Sequence, residues 1–202
     1  MATEHYFSAT PNSSFKPKEI TIEVGGKSIS MLTAGGTFSP GALDAGTSVL
    51  LQHLAGAPRG GDILDIGCGW GPITIALALN SPKATIWAID VNERSLELTK
   101  MNADRLNLTN VRTCKPDEIP NELQFTGIWS NPPIRVGKDQ LHEILISWLP
   151  KLKPKGSAYL VVQKNLGADS LHRWLEVEMP AGFTTERIDT AKTYRVLRTT
   201  AK

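Results

Sequence analysis

The sequence predicts an α/β protein: a mostly parallel seven-stranded sheet with helices on both faces and an antiparallel C-terminal hairpin, preceded by an N-terminal β-hairpin. Three observations carry this. From Gly61 onward, short apolar runs alternate with stretches of helical periodicity, the pattern of strands joined by crossover helices. A glycine-rich turn at 67–71 links the first of these runs to a helix. The last two runs are separated by a connection too short for a crossover, so they pair antiparallel.

Residues 1–17 are polar, contain Pro11 and Pro17, and read as an irregular arm. Residues 18–24 and 27–33 alternate apolar and polar about Gly25-Gly26, a hairpin signal. Gly, Ser and Thr dominate 33–46, a loop, and 47–55 has a short helical pattern. Strand 63–66 leads through the glycine turn into helix 73–79, and strand 84–89 into the long amphipathic helix 93–106. Residues 111–114 and 127–130 supply the third and fourth strands. Helix 141–152 is closed by Pro154 and Gly156, and 158–162 is the fifth strand. A helix at about 168–177 and strands near 183–188 and 194–199 complete the chain. There is no internal repeat and no low-complexity tract.

Of the 202 residues 41% are hydrophobic and 21% charged, which argues against disorder, collagen or a coiled coil. The length suits one domain with a core that needs no covalent staple. Two cysteines, Cys68 and Cys114, and four scattered histidines build neither a disulfide framework nor a zinc set, so a metal-free chain is expected. The N-terminal segment lacks a basic stretch followed by an apolar run, and no run approaches the ~20 apolar residues of a membrane helix. The expectation is a soluble cytoplasmic protein with no membrane partner. The net charge of +2 is unevenly spread: 10 Lys/Arg face 13 Asp/Glu in 1–134, and 12 face 7 in 135–202. A basic C-terminal third can serve an anionic partner such as nucleic acid, or simply solvate helix faces.

The strongest local signal is Leu64-Asp65-Ile66-Gly67-Cys68-Gly69-Trp70-Gly71, between a strand and a helix. Its glycines allow a sharp turn and the close approach of a ligand. Pro72 breaks the dinucleotide spacing GxGxxG. Gly26-Lys27-Ser28 mimics the end of a phosphate-binding loop, but Thr21 stands where that loop needs glycine. Asp65 beside the turn favours a cationic ligand group over a phosphate. Asp90 ends the second strand, where an acid can accept both hydrogen bonds of a ribose diol or, alternatively, cap the next helix. Asn131-Pro132-Pro133-Ile134 follows the fourth strand. Two prolines have no N–H to donate, so the loop offers acceptors, the Asn131 side-chain oxygen and the Pro132 carbonyl, suited to an exocyclic amine. Trp70 and Trp129 flank these loops, and core packing is the better reading of both. His142-Glu143 lacks the second histidine of a zinc-protease helix, Ile146 standing in its place.

Asp65-Ile66-Gly67-Cys68-Gly69, Asp90 and Asn131-Pro132-Pro133-Ile134, in this order, resemble class I S-adenosylmethionine-dependent methyltransferases acting on a planar nitrogen. His5-Tyr6-Phe7, Gly36-Thr37-Phe38-Ser39, Asp44-Ala45-Gly46-Thr47, Asn131 through Lys138 and Gln163-Lys164-Asn165-Leu166-Gly167-Ala168 resemble the small methyltransferase domain of 16S rRNA guanine-N2 methyltransferases. The likeness runs from about residue 5 to 198. Larger members carry a further N-terminal domain, which this sequence is expected to lack. The expected organisation is a single methyltransferase domain over 1–202: arm 1–17, hairpin and glycine-rich loop 18–46, catalytic α/β core 47–200.

The resemblance implies a Rossmann-like class I methyltransferase fold and S-adenosyl-L-methionine as cofactor. Phe38, Ser39, Asp65, Gly67, Gly69, Gly71, Asp90, Asp117 and Asn131 would bind it, with Phe38 and Ser39 closing over the cofactor or the target base. Asp117, in Cys114-Lys115-Pro116-Asp117-Glu118, stands about two positions from where the family places an acid near adenine. Asn131, Pro132, Pro133 and Ile134 would be the catalytic loop, holding the N2 amine of an rRNA guanine for in-line attack on the methyl carbon. Arg135, Lys138 and Lys164 would contact RNA, either 16S rRNA or a small-subunit particle. The alternatives are methylation of adenine N6 or of a protein glutamine amide, and a non-catalytic module that binds RNA or senses S-adenosylmethionine.

Overall fold

The computed structural model describes residues 14–202. His5-Tyr6-Phe7 and most of the expected arm lie outside the described residues. β1 (Lys18–Val24) and β2 (Lys27–Thr33) form the expected hairpin, turning through Gly25 and Gly26 at positive φ. The main sheet holds β3 (Gly60–Ile66), β4 (Lys83–Ile89), β5 (Val111–Cys114), β6 (Phe125–Ser130), β7 (Leu152–Gln163), β8 (Phe183–Ala191) and β9 (Tyr194–Ala201). Their order is β5-β4-β3-β6-β7-β9-β8. All neighbours are parallel except β7–β9 and β8–β9, so the expected terminal hairpin forms with β9 inserted between β7 and β8. The helices are α1 (Ala45–Leu51), α2 (Pro72–Asn80), α3 (Glu93–Arg105), α4 (Lys138–Trp148) and α5 (Ala168–Glu178).

The period-2 alternation of strand side chains divides the core into two layers. Ile63 points into a cluster with α1, α2, α3 and the β1–β2 hairpin, while Leu64 points into a second cluster with α4 and α5. Both faces of the parallel strands are therefore covered, as their near-continuous apolar runs require. Asn102 on α3, 1% exposed, fastens the hairpin to this body: its Nδ2 donates to the Leu32 and Trp70 carbonyls, and its Oδ1 accepts from the Leu32 N–H. Among the described residues no helix is long and apolar enough to cross a membrane.

Several boundaries differ from expectation, the clearest at α1, α4 and β7. α1 starts two residues early because the Asp44 side chain accepts from the Thr47 N–H and caps it. It stops at Leu51, and a 3-10 turn at Leu54–Gly56 takes up the rest of the apolar run. α4 starts at Lys138, after Gly137 at φ +103°, and ends at Trp148. Pro154 and Gly156 do not close that helix but lie within β7. The strand tolerates them because its register against β6 jumps from Phe125–Leu152 to Gly127–Ser157, so 153–156 bulge opposite Thr126.

Candidate active site

A cleft of about 690 Å³ opens at the carboxyl ends of β3, β4, β6 and β7, where an open α/β sheet places its ligands. Its floor is the glycine turn after β3. Gly67 and Cys68 N–H both donate to the Ile89 carbonyl, at 2.9 and 3.0 Å, which bends the turn across the end of β4. Gly67 (φ +72°) and Gly69 (φ +57°) lie on the cleft wall, and a Cβ added at either would meet nothing within 4 Å. That open space leaves a cradle of bare backbone facing the cleft. Gly71 has a different job: a Cβ there would stand 2.8 Å from Thr99 Oγ1, so it lets α2 pack on α3 and does not line the cleft.

Asp90 joins floor to wall. Its Oδ2 accepts from the Gly69 N–H at 3.0 Å and its Oδ1 from the Asn92 N–H at 2.9 Å. The cap of α3 is Asn92, whose side chain accepts from Arg94 and Ser95 N–H, so capping does not account for Asp90. Burial pushes the Asp90 carboxyl up, opposed by the hydrogen bonds from Asn92 and Gly69. Asp65 faces the other way. It is 0% exposed, stands off the cleft wall and accepts from Thr74 Oγ1 at 2.5 Å, while its Oδ1 has no hydrogen-bond partner. Burial raises its carboxyl to about 7, with a smaller push from Asp90. An acid facing the ligand is therefore not what the geometry provides at Asp65.

The loop carrying Phe38 and Ser39 is fastened along the glycine turn. Trp70 Nε1 donates to the Phe38 carbonyl at 3.0 Å, Asn92 Nδ2 to the Gly36 carbonyl at 2.8 Å, and Arg94 Nη1 to the Gly35 carbonyl at 2.6 Å. Phe38 and Ser39 thus share the cleft wall with Asn131. Trp70 and Trp129 are both core residues, Trp129 stacking on Tyr159 with ring centroids 4.6 Å apart.

Asn131, Pro132, Pro133 and Ile134 line the cleft just beyond β6. Asn131 Nδ2 donates to Asp44 Oδ2 at 2.8 Å and to Thr47 Oγ1 at 3.0 Å. A carboxylate only accepts, so the amide can present only its nitrogen to Asp44, which leaves Oδ1 as the remaining polar atom of this side chain. The Pro132 carbonyl is partly engaged, accepting from the Ile134 N–H at 2.9 Å. The far wall comes from Val161, Gln163 and Tyr194, and the α4 side from Gln140, Glu143, Ile144 and Trp148. The Tyr194 ring lies against Gly46, where a Cβ would come within 2.8 Å of it, and burial followed by the Asp44 charge raises its hydroxyl.

The remaining candidates lie at the margins. Pro116, not Asp117, is on the cleft wall; Asp117 is exposed in the turn Pro116–Glu118. Arg135 is in the turn Ile134–Val136, whose flanking residues line the cleft. Lys138 opens α4, and Lys164 lies between the wall residues Gln163 and Leu166; both are exposed. Sequence reasoning gave no role to Asp44, Thr47, Gln163 or Tyr194. Asp44 and Thr47 fall on the stretch Asp44-Ala45-Gly46-Thr47, whose likeness to known methyltransferases is the one signal for them.

This fold, with a glycine cradle, an acid after the second core strand and an Asn-Pro-Pro loop around one cleft, defines a class I methyltransferase. The methyltransferase small domain family matches residues 28–198, and the chain belongs to that family. It is 35% identical to the uncharacterized protein YbxB of Bacillus subtilis, over 86% of this chain and 88% of that protein. It is 33% identical to ribosomal RNA small subunit methyltransferase C of Shewanella sediminis over 65% of this chain, and spans 39% of that enzyme's length. Among solved structures, the T. thermophilus 16S rRNA N2 methyltransferase RsmC, in complex with AdoMet and guanosine, superimposes with a TM-score of 0.78. That match has 23% identity and covers 92% of this chain and 51% of the other.

Proposed function

We propose that this methyltransferase transfers a methyl group from S-adenosyl-L-methionine to the exocyclic N2 amine of a guanine in rRNA. The observation that carries the proposal is the Asn131 amide, whose nitrogen is tied to Asp44 and Thr47 so that its oxygen is left to accept from an amine. The RsmC neighbour, which holds AdoMet and guanosine, and the small-subunit rRNA methyltransferases among the relatives support the choice of cofactor and base.

The residues present fit the cofactor. Gly67 and Gly69 leave the space a Cβ would fill, Asp90 supplies a carboxylate for the ribose hydroxyls, and Ile66, Ile89, Pro116 and Trp148 give an apolar wall for the adenine. When bound, S-adenosylmethionine supplies an electrophilic methyl carbon on a sulfonium whose departing thioether is neutral. The chain's own work is orientation. A ring-conjugated amine is a poor nucleophile, and Asn131 Oδ1 accepting one of its hydrogens turns the nitrogen lone pair out of conjugation. The same oxygen stabilises positive charge as it develops on that nitrogen. Pro132 and Pro133 offer no competing N–H, and the second lone pair of the Pro132 carbonyl remains for the other amine hydrogen. After transfer the cationic nitrogen is strongly acidic and gives its proton to solvent water, so no strong base is required. Arg135, Lys138 and Lys164 would contact phosphates of an extruded or single-stranded nucleotide.

The test is transfer of labelled methyl from S-adenosylmethionine to unmethylated 16S rRNA, small-subunit particles, DNA and protein extract, followed by nucleoside and amino-acid analysis. N2-methylguanosine in the RNA is the expected product. Label on adenine or on protein glutamine would overturn the assignment of substrate, and cofactor binding with no transfer would overturn catalysis.

A further inference from the structure

We propose that Asp44 and Thr47 are positioning residues for methyl transfer, acting as a lock on the Asn131 amide. The inference rests on the function proposed above and deepens it by naming what orients its central acceptor. Asp44 Oδ2 accepts two hydrogen bonds, from the Thr47 N–H at 3.0 Å and from Asn131 Nδ2 at 2.8 Å. Thr47 Oγ1, on a residue 2% exposed, accepts from the same Nδ2 at 3.0 Å. Both amide hydrogens of Asn131 thus have acceptors, and these come from the loop and first turn of α1, 84 and 87 residues away in sequence.

The lock matters because an asparagine amide can turn over at little intrinsic cost. Flipped, it would offer an N–H to the target amine and repel it. Opposite a carboxylate the flipped form sets two acceptor oxygens together, so one orientation is strongly preferred. Donation into an anionic acceptor also polarises the amide and strengthens Oδ1 as an acceptor. The site therefore selects a ligand that donates at this point, an exocyclic amine, over one presenting a carbonyl. Gly46 keeps the Tyr194 ring close to Asp44, since a Cβ there would stand 2.8 Å from the ring and 3.0 Å from Asp44 Oδ2.

Asp44 also caps α1, so its substitution can disturb the fold, and Thr47→Val and Asp44→Asn supply the controls. Thr47→Val keeps the backbone N–H that the cap uses. Asp44→Asn keeps an oxygen able to serve both donors and removes only the charge. Single-turnover transfer to 16S rRNA should fall about 10- to 100-fold in Asp44→Ala, as loss of a charge-assisted hydrogen bond implies, with cofactor affinity within about twofold of wild type. Asp44→Asn and Thr47→Val should fall in between. In an Asn131→Ala background, Asp44→Ala should cost no more than about threefold, because the group it acts through is gone. Equal fold losses in both backgrounds, or a wild-type rate in folded Asp44→Ala, would overturn the lock. A readout independent of the substrate is the Nδ2 proton pair of Asn131 in an asparagine-labelled NMR spectrum. It should exchange slowly in the wild type and fast in the Asp44→Ala, Thr47→Val double variant, and no difference would overturn the proposal. A wild-type protein that shows the protected pair but transfers no methyl to RNA would instead overturn the proposed function and leave the lock standing.

Discussion

The Gly69 N–H donates to Asp90 Oδ2 at 3.0 Å, so the acid that ends one strand holds the glycine turn that ends its neighbour. One carboxylate thereby shapes the cradle and lies on the cleft wall. Asp90→Ala should weaken S-adenosylmethionine binding roughly 10- to 100-fold, the cost of losing a charged acceptor. Titration calorimetry on the folded variant would show it; unchanged affinity would remove Asp90 from the binding site.

Asn131→Ala should lower the transfer rate about 10²–10³-fold, or ~3–4 kcal/mol of barrier, while leaving cofactor affinity near wild type. A rate at the wild-type level would end the proposed mechanism. Asn131→Asp is expected to be nearly as damaging at neutral pH, since it sets a second carboxylate where Asn131 Nδ2 now stands 2.8 Å from Asp44 Oδ2. Two such carboxylates cannot both ionise cheaply, so its activity relative to wild type should rise as pH falls and the pair takes up a proton.

The two classes of glycine in the turn should separate in experiment. Gly71→Ala meets Thr99 at 2.8 Å in a left-handed backbone and should lower stability by roughly 1–3 kcal/mol, read as a fall in Tm. Gly67→Ala has the left-handed backbone but open space before it, so it should lose less stability and more cofactor affinity. Similar Tm and affinity losses at both positions would show that the cradle was misassigned.

Asp65 predicts an unusual pH dependence. Its carboxyl is raised to about 7 by burial, above the 3.8 of an exposed aspartate. Between these values the folded state holds a proton that the unfolded state has released, so stability falls as pH rises from about 4 to 7 and the full penalty applies above that. Asp65→Asn should remove this slope and be the more stable form at pH 8, by on the order of a few kcal/mol. Denaturant unfolding at pH 5 and 8 would test it, and parallel curves for the two proteins would refute it.

Contacts from Lys138 and Lys164 to RNA phosphates should make affinity fall with salt. Lys138→Ala with Lys164→Ala should reduce both the affinity and the slope of its logarithm against that of salt concentration. An unchanged slope in the double variant would place the RNA face elsewhere.

The parts of this protein legible in its sequence are those set by short-range physics. Apolar periodicity marked the strands and helices, the glycine turn announced its left-handed backbone, and Asp90 and Asn131 lay at strand ends, where an open α/β sheet binds its ligands. The sequence could not reveal which side of a strand end a residue serves: Asp65 turned into the core against Thr74, and Gly71 against Thr99. Nor could it show that Pro154 and Gly156 sit in a bulge, because that depends on the register of β7 against β6. The tie from Asn131 to Asp44 and Thr47, and the approach of Tyr194 to Gly46, join positions many tens of residues apart. Periodicity and dihedral preference act over a few residues, whereas these contacts exist only once the order of strands has brought α1, the end of β6 and the start of β9 together at the carboxyl end of the parallel strands.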